Sequence, residues 1–254
     1  MRITVLGCGP AGLISAWIGT MKGHEVRVLS DKIEKSYLGG AQYLHSPIPF
    51  LSEEQPDTEI MVLKSGTRDG YAAKVYGDPD ADVSLDRYGK FVVPGWNLFD
   101  AYNQLWEWAT NNDMIDTFKV TSSSDIEELA LAGDLLVSSV PRSVTCNSEH
   151  SFESRKVLVK PELPVEVLSG GRDFIVYDGT AHNPYYRFSR LFGNEMSEYP
   201  ADADLPDAIE VRKPLKNNCD CWDHRGDIHF IGRYGRWEKS QLVSDAMDQA
   251  NEVL

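Results

Sequence analysis

Residues 2–30 read RITVLGCGPAGLISAWIGTMKGHEVRVLS, and this stretch decides the fold. Residues 2–6 are a short β-branched run that ends at Gly7, which predicts a strand and a turn. Gly23 suits the end of a helix, and residues 26–29 are again typical of a strand. Between the turn and Gly23, apolar side chains recur at the spacing of one helix face: Ile14, Trp17, Ile18 and Met21. The stretch therefore predicts a βαβ unit with parallel strands and a right-handed crossover.

The turn of this unit is a G-x-G-x-x-G motif, Gly7-Cys8-Gly9-Pro10-Ala11-Gly12, directly between strand and helix. The first glycine permits the tight turn, the second lets the backbone approach a pyrophosphate, and the third lets the helix pack closely on the strand. The helix N-terminus adds unpaired N–H groups and a partial positive charge. The motif in this setting predicts the binding of a dinucleotide.

In such units an acid at the end of the second strand binds the adenosine ribose, about 20 residues after the motif. Here Ser30 stands in the position of the acid, and Asp31 follows one residue later. Either Asp31 reaches the ribose or Ser30 makes a weaker contact.

Composition bounds the class of protein. The 254 residues are 42% hydrophobic and 25% charged, which excludes a disordered, collagen-like or coiled-coil chain. The 39 Asp and Glu residues exceed the 25 Lys and Arg residues, giving a net charge of −14. A negative field repels phosphate backbones, so nucleic acid is disfavoured as a partner, although a local basic pocket for an anion remains compatible with this charge.

The four cysteines are too few for a disulfide scaffold in a chain of this length, and we interpret them as reduced thiols. Because Cys219-x-Cys221 with His224 is one short cluster without a second ligand pair, we expect no metal there. No apolar run reaches the roughly 18–20 residues of a membrane helix, and the apolar start fits a βαβ unit better than a signal peptide. A cytoplasmic protein without a membrane partner is expected. The sequence does not indicate an oligomeric state.

The rest of the chain alternates between β-rich and helical segments. Predicted strands are 118–121, 134–140, 156–160, 174–177, 185–191, 195–199 and 228–231, with a hairpin of 59–64 and 71–76; predicted helices are 98–109, a short one with a Ser124 and Glu127 capping box, and 240–253. The predicted fold class is α/β: a Rossmann-like dinucleotide-binding domain with a parallel sheet (1–45, 115–145 and 225–254), interrupted by a smaller β-rich substrate domain (46–114 and 146–224).

Two further segments suggest a family. Gly39-Gly40 follows soon after the second strand, and residues 230–237 read FIGRYGRW near the C-terminus. With the N-terminal 45 residues, residues 185–190 (YYRFSR), 197–200 (SEYP) and 232–248, they resemble FAD-dependent oxidoreductases of the glutathione-reductase type. Within that superfamily the chain is most similar to UDP-galactopyranose mutases and flavin amine oxidases.

The resemblance implies a bound FAD and a set of sites around it. The glycine motif, residues 7–12, would hold the pyrophosphate, and Val120 would contact the adenine through its backbone. Gly39, Gly40, Ala41 and Gln42 would pass close to the cofactor. Gly232 and Arg233 would lie at the pyrimidine edge of the flavin, where a cation stabilises the reduced ring.

The substrate side is also assigned by this resemblance. Arg187 matches the arginine that faces the substrate diphosphate in the mutases. Trp237 and Lys239 stand where the mutases have a tyrosine-rich run, and Tyr185 belongs to a polar, aromatic turn that could line a pocket. His45, near the glycine pair, is a candidate general acid or base, since histidine titrates near neutral pH. A structural histidine bonded to a turn carbonyl is the alternative.

Four functions are compatible with these features. The leading one is an FAD-dependent oxidoreductase that oxidises or cleaves a C–N substrate of the amine type by hydride transfer to flavin. The second is non-redox, mutase-like chemistry on a nucleotide sugar. The third is modification of a thymidine-derived base in phage DNA, because a compact chain could leave the flavin open to a large substrate. The fourth is a flavin-free regulator that binds a nucleotide. The substrate is accordingly a small molecule or a modified nucleobase.

Overall fold

The computed structural model describes residues 1–83, 89–146, 148–164 and 171–254. In chain order the elements are β1 (Arg2–Leu6), α1 (Pro10–Met21), β2 (Glu25–Ser30), β3 (Thr58–Gly66), α2 (Arg68–Tyr76), β4 (Gly89–Gly95), α3 (Leu98–Asn111), β5 (Ile115–Thr117), α4 (Ser123–Ala132), β6 (Leu135–Ser138), α5 (Arg142–Thr145), β7 (Phe152–Lys160), β8 (Phe174–Gly179), β9 (Arg187–Leu191), β10 (Asn194–Pro200), β11 (Ile209–Asn217), β12 (Ile228–Phe230), α6 (Gly232–Arg236) and α7 (Val243–Val253). The predicted βαβ unit is confirmed, with β1 and β2 parallel.

The first sheet has five parallel strands in the order β12-β6-β1-β2-β5. Helices cover both faces, which explains why β1 and β6 are buried almost throughout. On one face α1, α3 and α7 pack into a single apolar core, and on the other face α4 packs over β2 and β6. The predicted α/β fold with a parallel sheet is confirmed.

The second sheet has seven strands in the order β11-β7-β10-β9-β8-β3-β4. Neighbouring strands are antiparallel except for β3 and β8. The strands of the second sheet fall within residues 46–114 and 146–224, and those of the first sheet lie outside these ranges. One helix from those ranges, α3, packs against α1 in the core of the first sheet. The chain leaves the first sheet twice, after β2 and after β6, and returns to it between β4 and β5 and between β11 and β12.

The predicted hairpin of residues 59–64 and 71–76 is wrong. β3 pairs with β4, and the segment between them forms α2. Thr67 caps α2, because its Oγ1 accepts a hydrogen bond from the Gly70 N–H at 3.0 Å. Gly77 ends it in the left-handed region at φ 73°. Capping chemistry therefore outweighed the β-like composition of this segment.

Two predicted boundaries also differ near residue 120. The strand expected at 118–121 lies earlier, at β5, where Ile115 pairs with Val28. The capping box of the following helix is formed by Ser122 and Asp125 rather than by Ser124 and Glu127. The Asp125 carboxylate accepts from the backbone N–H of Ser122 at 2.9 Å. Ser124 and Glu127, the predicted pair, have the same spacing two residues later in the chain.

No helix among the described residues combines the length and the apolar character that crossing a membrane requires.

We expect the fold to depend on Gly12. A Cβ atom at this position would lie 1.9 Å from the Gly7 carbonyl oxygen, and backbone cannot yield as a flexible side chain can. Gly12→Ala should lower the free energy of unfolding by about 3 kcal/mol or more. Gly226→Ala is the matched control, because a Cβ atom there meets nothing within 4 Å. Urea unfolding of both variants measures the difference, and equal stability would contradict the prediction.

Candidate functional site

The three glycines of the motif have the geometry that each role requires. Gly7 turns the chain at φ 101°, in the left-handed region that favours glycine. Gly12 brings α1 against the end of β1. Gly9 differs from both, because a Cβ atom there would meet only the Ser36 Oγ at 3.7 Å. The backbone at Gly9 is thus open on the side from which a phosphate would approach.

The N-terminus of α1 points its N–H groups into the same space. Gly9 is the N-cap residue, no side chain caps the helix, and its first turn holds no acid. Pro10 at the helix start has no N–H to leave unpaired. A twelve-residue helix that begins in this way attracts an anion through its unpaired N–H groups and its dipole.

The side chains at the end of β2 contact the glycine loop. The buried Cys8 thiol lies 3.1 Å from the Ser30 Oγ and donates to it. Burial raises the pKa of the Cys8 thiol, with Ser30 lowering it and Asp31 raising it to a smaller extent. Ser30 is therefore engaged by Cys8, whereas the Asp31 carboxylate is exposed. Of the two predicted ribose ligands, Asp31 is therefore the one whose side chain is accessible.

The C-terminal segment reaches the same loop. β12 extends the first sheet beside β6 and leads into α6. Gly232 has φ 65°, and a Cβ atom on it would lie 3.0 Å from the Ala11 Cβ. Arg233 follows, and its Nε donates to the Gln241 carbonyl at 3.2 Å. The structure thus brings Gly232 and Arg233 to the first turn of α1.

The predicted cofactor loop at residues 39–42 lies against strand β10. Gly40 has φ 90°, and a Cβ atom there would lie 2.5 Å from Oε1 of Glu198. The Ala41 N–H points to the same oxygen at 3.4 Å, and the Gln42 side chain donates to the Gly39 carbonyl at 2.8 Å. The loop is held at its place by Glu198 and by its own hydrogen bonds.

Glu198 is the centre of a buried charge network that the sequence did not reveal. Its carboxylate is 1% exposed and is bound by the Arg187 guanidinium through Nε and Nη2. Its second oxygen accepts from the Tyr186 hydroxyl at 2.8 Å and binds the Lys213 ammonium. Burial raises the pKa of the Glu198 carboxyl, but the two cations outweigh burial and hold the pKa well below its usual range.

The network carries more positive than negative charge. Burial lowers the pKa of the Lys213 ammonium against the opposing effect of Glu198. Burial and the nearby Arg187 cation also lower the pKa of Arg233. The terminal nitrogens of Arg233 make no hydrogen bond to any residue that the structure describes. Burial lowers the pKa of Lys213 to about 7, so at neutral pH one carboxylate faces two guanidinium groups and a partly protonated ammonium, and the surplus positive charge favours an anionic ligand.

The predicted substrate residues lie away from this network. Tyr185 packs in an apolar cluster with Phe174, Phe188 and Tyr199, while its neighbour Tyr186 is the tyrosine that contacts Glu198. Trp237 is 5% exposed and donates its indole N–H to the Glu153 carbonyl at 2.8 Å. These contacts give Tyr185 and Trp237 structural roles in the second sheet.

Three further predicted residues lie at the margins. The Lys239 ammonium donates to the Asp82 carbonyl at 2.9 Å and lies 4.5 Å from the Tyr76 ring centroid. His45 packs its ring on Tyr43 at 4.3 Å between centroids, and partial burial lowers its pKa while Asp245 raises it. Val120 follows β5 and packs at the edge of the cluster around α4, near the end of β2.

The comparisons bear on the fold. No family model and no curated protein matches the sequence. Among solved structures, CtdE in complex with FAD matches 99% of this chain and 82% of its own, at 11% identity and a TM-score of 0.60. A flavoprotein/dehydrogenase from Cytophaga hutchinsonii matches 99% and 76%, at 11% identity and a TM-score of 0.53. A variant of HpxO from Klebsiella pneumoniae complexed with FAD matches 98% and 79%, at 10% identity and a TM-score of 0.51.

The chain shares its fold with these three proteins. At such low identity the likeness concerns the fold alone. None of the three is described as a mutase or an amine oxidase. The similarity to those two groups therefore remains a prediction from the sequence.

We expect Glu198→Gln to lower the free energy of unfolding by about 3–5 kcal/mol at pH 7, because Arg187 and Lys213 would lose their buried partner. Glu210→Gln is the control: this acid pairs with Lys156 at the surface, where both side chains are about half exposed, and should change stability by less than about 1 kcal/mol.

The stability difference between wild type and Glu198→Gln should depend on pH, in the direction set by the lowered pKa of Glu198. The folded-state pKa of Glu198 lies below the value of about 4.3 in an unfolded chain, so the ionised group stabilises the fold above that pH. The stabilisation is lost as the pH falls through the folded-state pKa. Urea unfolding of wild type and Glu198→Gln from pH 7 to pH 3 should show that the difference between their free energies of unfolding narrows below about pH 4. A difference that widens would contradict a lowered folded-state pKa for Glu198.

Proposed function

We propose that this protein is an FAD-dependent oxidoreductase. The observation that carries the proposal is the contact between two distant segments of the chain, where Gly232, the residue before Arg233, lies beside Ala11 in the glycine motif. A dinucleotide bound at the motif would have its phosphates at α1 and could extend toward Arg233. The shared fold with two proteins that were crystallised with FAD supports this choice of dinucleotide.

The residues present fit the pyrophosphate part of FAD. The open backbone at Gly9 and the uncapped N-terminus of α1 provide N–H donors, and no acid stands in the first turn to repel a phosphate. Asp31 at the end of β2 is the accessible acid for the ribose, and Val120 lies near the same strand end for the adenine. Gly40 and Gly232 let the chain pack closely against Glu198 and Ala11, respectively.

When bound, FAD would accept a hydride from the carbon next to the substrate nitrogen, leaving an imine that water can hydrolyse. The chain would contribute charge and position. Arg233 has terminal nitrogens without partners among the described residues, so it could stabilise negative charge at the ring. Glu198 positions Arg187 and Lys213 through its ion pairs. These positively charged side chains lie beside the loop at Gly40.

These positive charges also indicate which kind of substrate the site would favour. We infer an amine-type compound that carries an anionic group, such as a carboxylate, because surplus positive charge favours an anion. The ion pair with Glu198 occupies two donor nitrogens of Arg187, the residue that the mutase alternative needs for a diphosphate. The geometry therefore supports the oxidoreductase better than the mutase.

We expect purified protein to contain FAD and Gly9→Val to lose it. The new side chain would fill the open space at the motif without a clash, so the chain should fold but the pyrophosphate should be excluded. Absorbance at the flavin bands and release of FAD on denaturation measure occupancy, and circular dichroism monitors folding. Gly226→Ala should retain FAD. Wild-type protein that neither contains nor takes up FAD would refute the proposal.

We expect Arg233→Met to retain FAD but to slow its reduction by about 10- to 1,000-fold, the range that follows from removing one stabilising charge. The matched control is Arg236→Met on the same helix, since Arg236 is exposed and pairs with Glu238 at 3.6 Å. Anaerobic mixing with amines that do or do not carry a carboxylate, followed by flavin bleaching, measures the rate. Equal rates in the two variants would remove Arg233 from the mechanism.

A further inference from the structure

Four potential metal ligands meet at the junction of the two sheets. Cys146, His150, Cys219 and Cys221 place one donor atom each within 4.8 Å of all the others. The sequence indicated only the Cys219-x-Cys221 pair, with His224 as the third candidate. Cys146 and His150 supply the second pair of donors, and they lie about 70 residues earlier in the chain.

The three distances among Cys146, His150 and Cys221 are close to the edges of a tetrahedral zinc site, and the Cys219 sulfur lies within 4.8 Å of all three donor atoms. With Zn–S bonds of about 2.3 Å and Zn–N bonds of about 2.0–2.1 Å, two sulfurs lie about 3.8 Å apart and a sulfur and a nitrogen about 3.6 Å apart. Here the Sγ atoms of Cys146 and Cys221 are 3.7 Å apart. The Nδ1 of His150 lies 3.2 Å from the first sulfur and 3.4 Å from the second. No disulfide joins any two of these three cysteines.

The surroundings of the cluster are those of a metal centre. The Nε2 of His150 faces the Asp220 carboxylate at 3.5 Å, the outer partner that a ligating histidine commonly has. This contact leaves Nδ1 directed to the sulfurs. The Ser148 Oγ lies 2.8 Å from Nδ1 and 3.6 Å from the Cys221 Sγ, where its hydroxyl can donate to a ligating sulfur once Nδ1 binds a metal.

Charge balance supports the same ligand set. Three thiolates and one Zn²⁺ leave a charge of −1, which needs a nearby cation in a half-buried place. The Arg142 side chain is 7% exposed, donates to the Cys219 carbonyl at 3.3 Å and pairs at 2.9 Å with the Asp223 carboxylate, which is 65% exposed and therefore screened by solvent. Its Nε is buried without a hydrogen-bond partner among the described residues. A cation held in this way is stabilised by an anionic cluster next to it.

We propose that Cys146, His150, Cys219 and Cys221 bind one structural Zn²⁺ ion. Four protein ligands leave no open position for a substrate, which is typical of a structural rather than a catalytic zinc. The ligands lie on two connections between the sheets: Cys146 and His150 between β6 and β7, and Cys219 and Cys221 between β11 and β12. The ion would tie together the points where the chain leaves the first sheet and returns to it.

The first test is the metal content of the purified protein by mass spectrometry, which does not depend on the proposed oxidoreductase function. We expect about one zinc per chain, lost in His150→Ala and in Cys221→Ser. His224→Ala and Cys8→Ser should retain it, because these residues lie outside the cluster. Iron in place of zinc would overturn the identity of the ion, and equal zinc in all four variants would overturn the site.

A second test uses wild-type protein, since a ligand variant could fail to fold. After removal of the metal under reducing conditions, added Co²⁺ should give the intense absorption in the red that tetrahedral cobalt with thiolate ligands shows, and Zn²⁺ should abolish it. Oxidised flavin does not absorb in that region. Failure to bind either metal, or a disulfide between Cys146 and Cys221 found by mass analysis of the purified protein under non-reducing conditions, would overturn the proposal.

Discussion

The close approach of α1 to the end of β1 is the constraint on which the rest of the structure depends. Helix and strand can meet there because neither Gly7 nor Gly12 carries a side chain, and the Gly7 carbonyl occupies the space that a Cβ atom at Gly12 would need. The same approach leaves Gly9 at an open helix N-terminus and lets Gly232 pack beside Ala11. The three glycines of the motif and one glycine from far along the chain thus define one surface.

Local patterns in the sequence predicted the first sheet well because its signals are strong. The β-branched runs, the helical spacing of α1 and the glycine motif act within a few residues of one another. Short-range competition explains the errors. Thr67 caps a helix, α2, where the composition had predicted a strand. In the capping box of α4, Asp125 and not Glu127 is the acidic partner.

The charge network and the metal cluster could not be predicted in this way, because their members meet only through tertiary structure. Glu198 lies on β10, Arg187 on β9 and Lys213 on β11, and no spacing within one strand indicates that they converge. A charged residue within a strand-like pattern was the available signal for Glu198. Cys146 and Cys221 similarly belong to different connections and become neighbours only when both sheets have formed.

The order of strands in the first sheet has a consequence for synthesis of the protein. β12, at the edge of this sheet, and α7, which covers α1, follow the second sheet in the chain, whereas β1 and α1 precede it. On the ribosome, a nascent chain without them would leave the edge of β6 unpaired and part of the apolar face of α1 exposed to solvent. Chaperones that shield apolar surface would therefore be needed most during elongation through the β-rich middle of the chain.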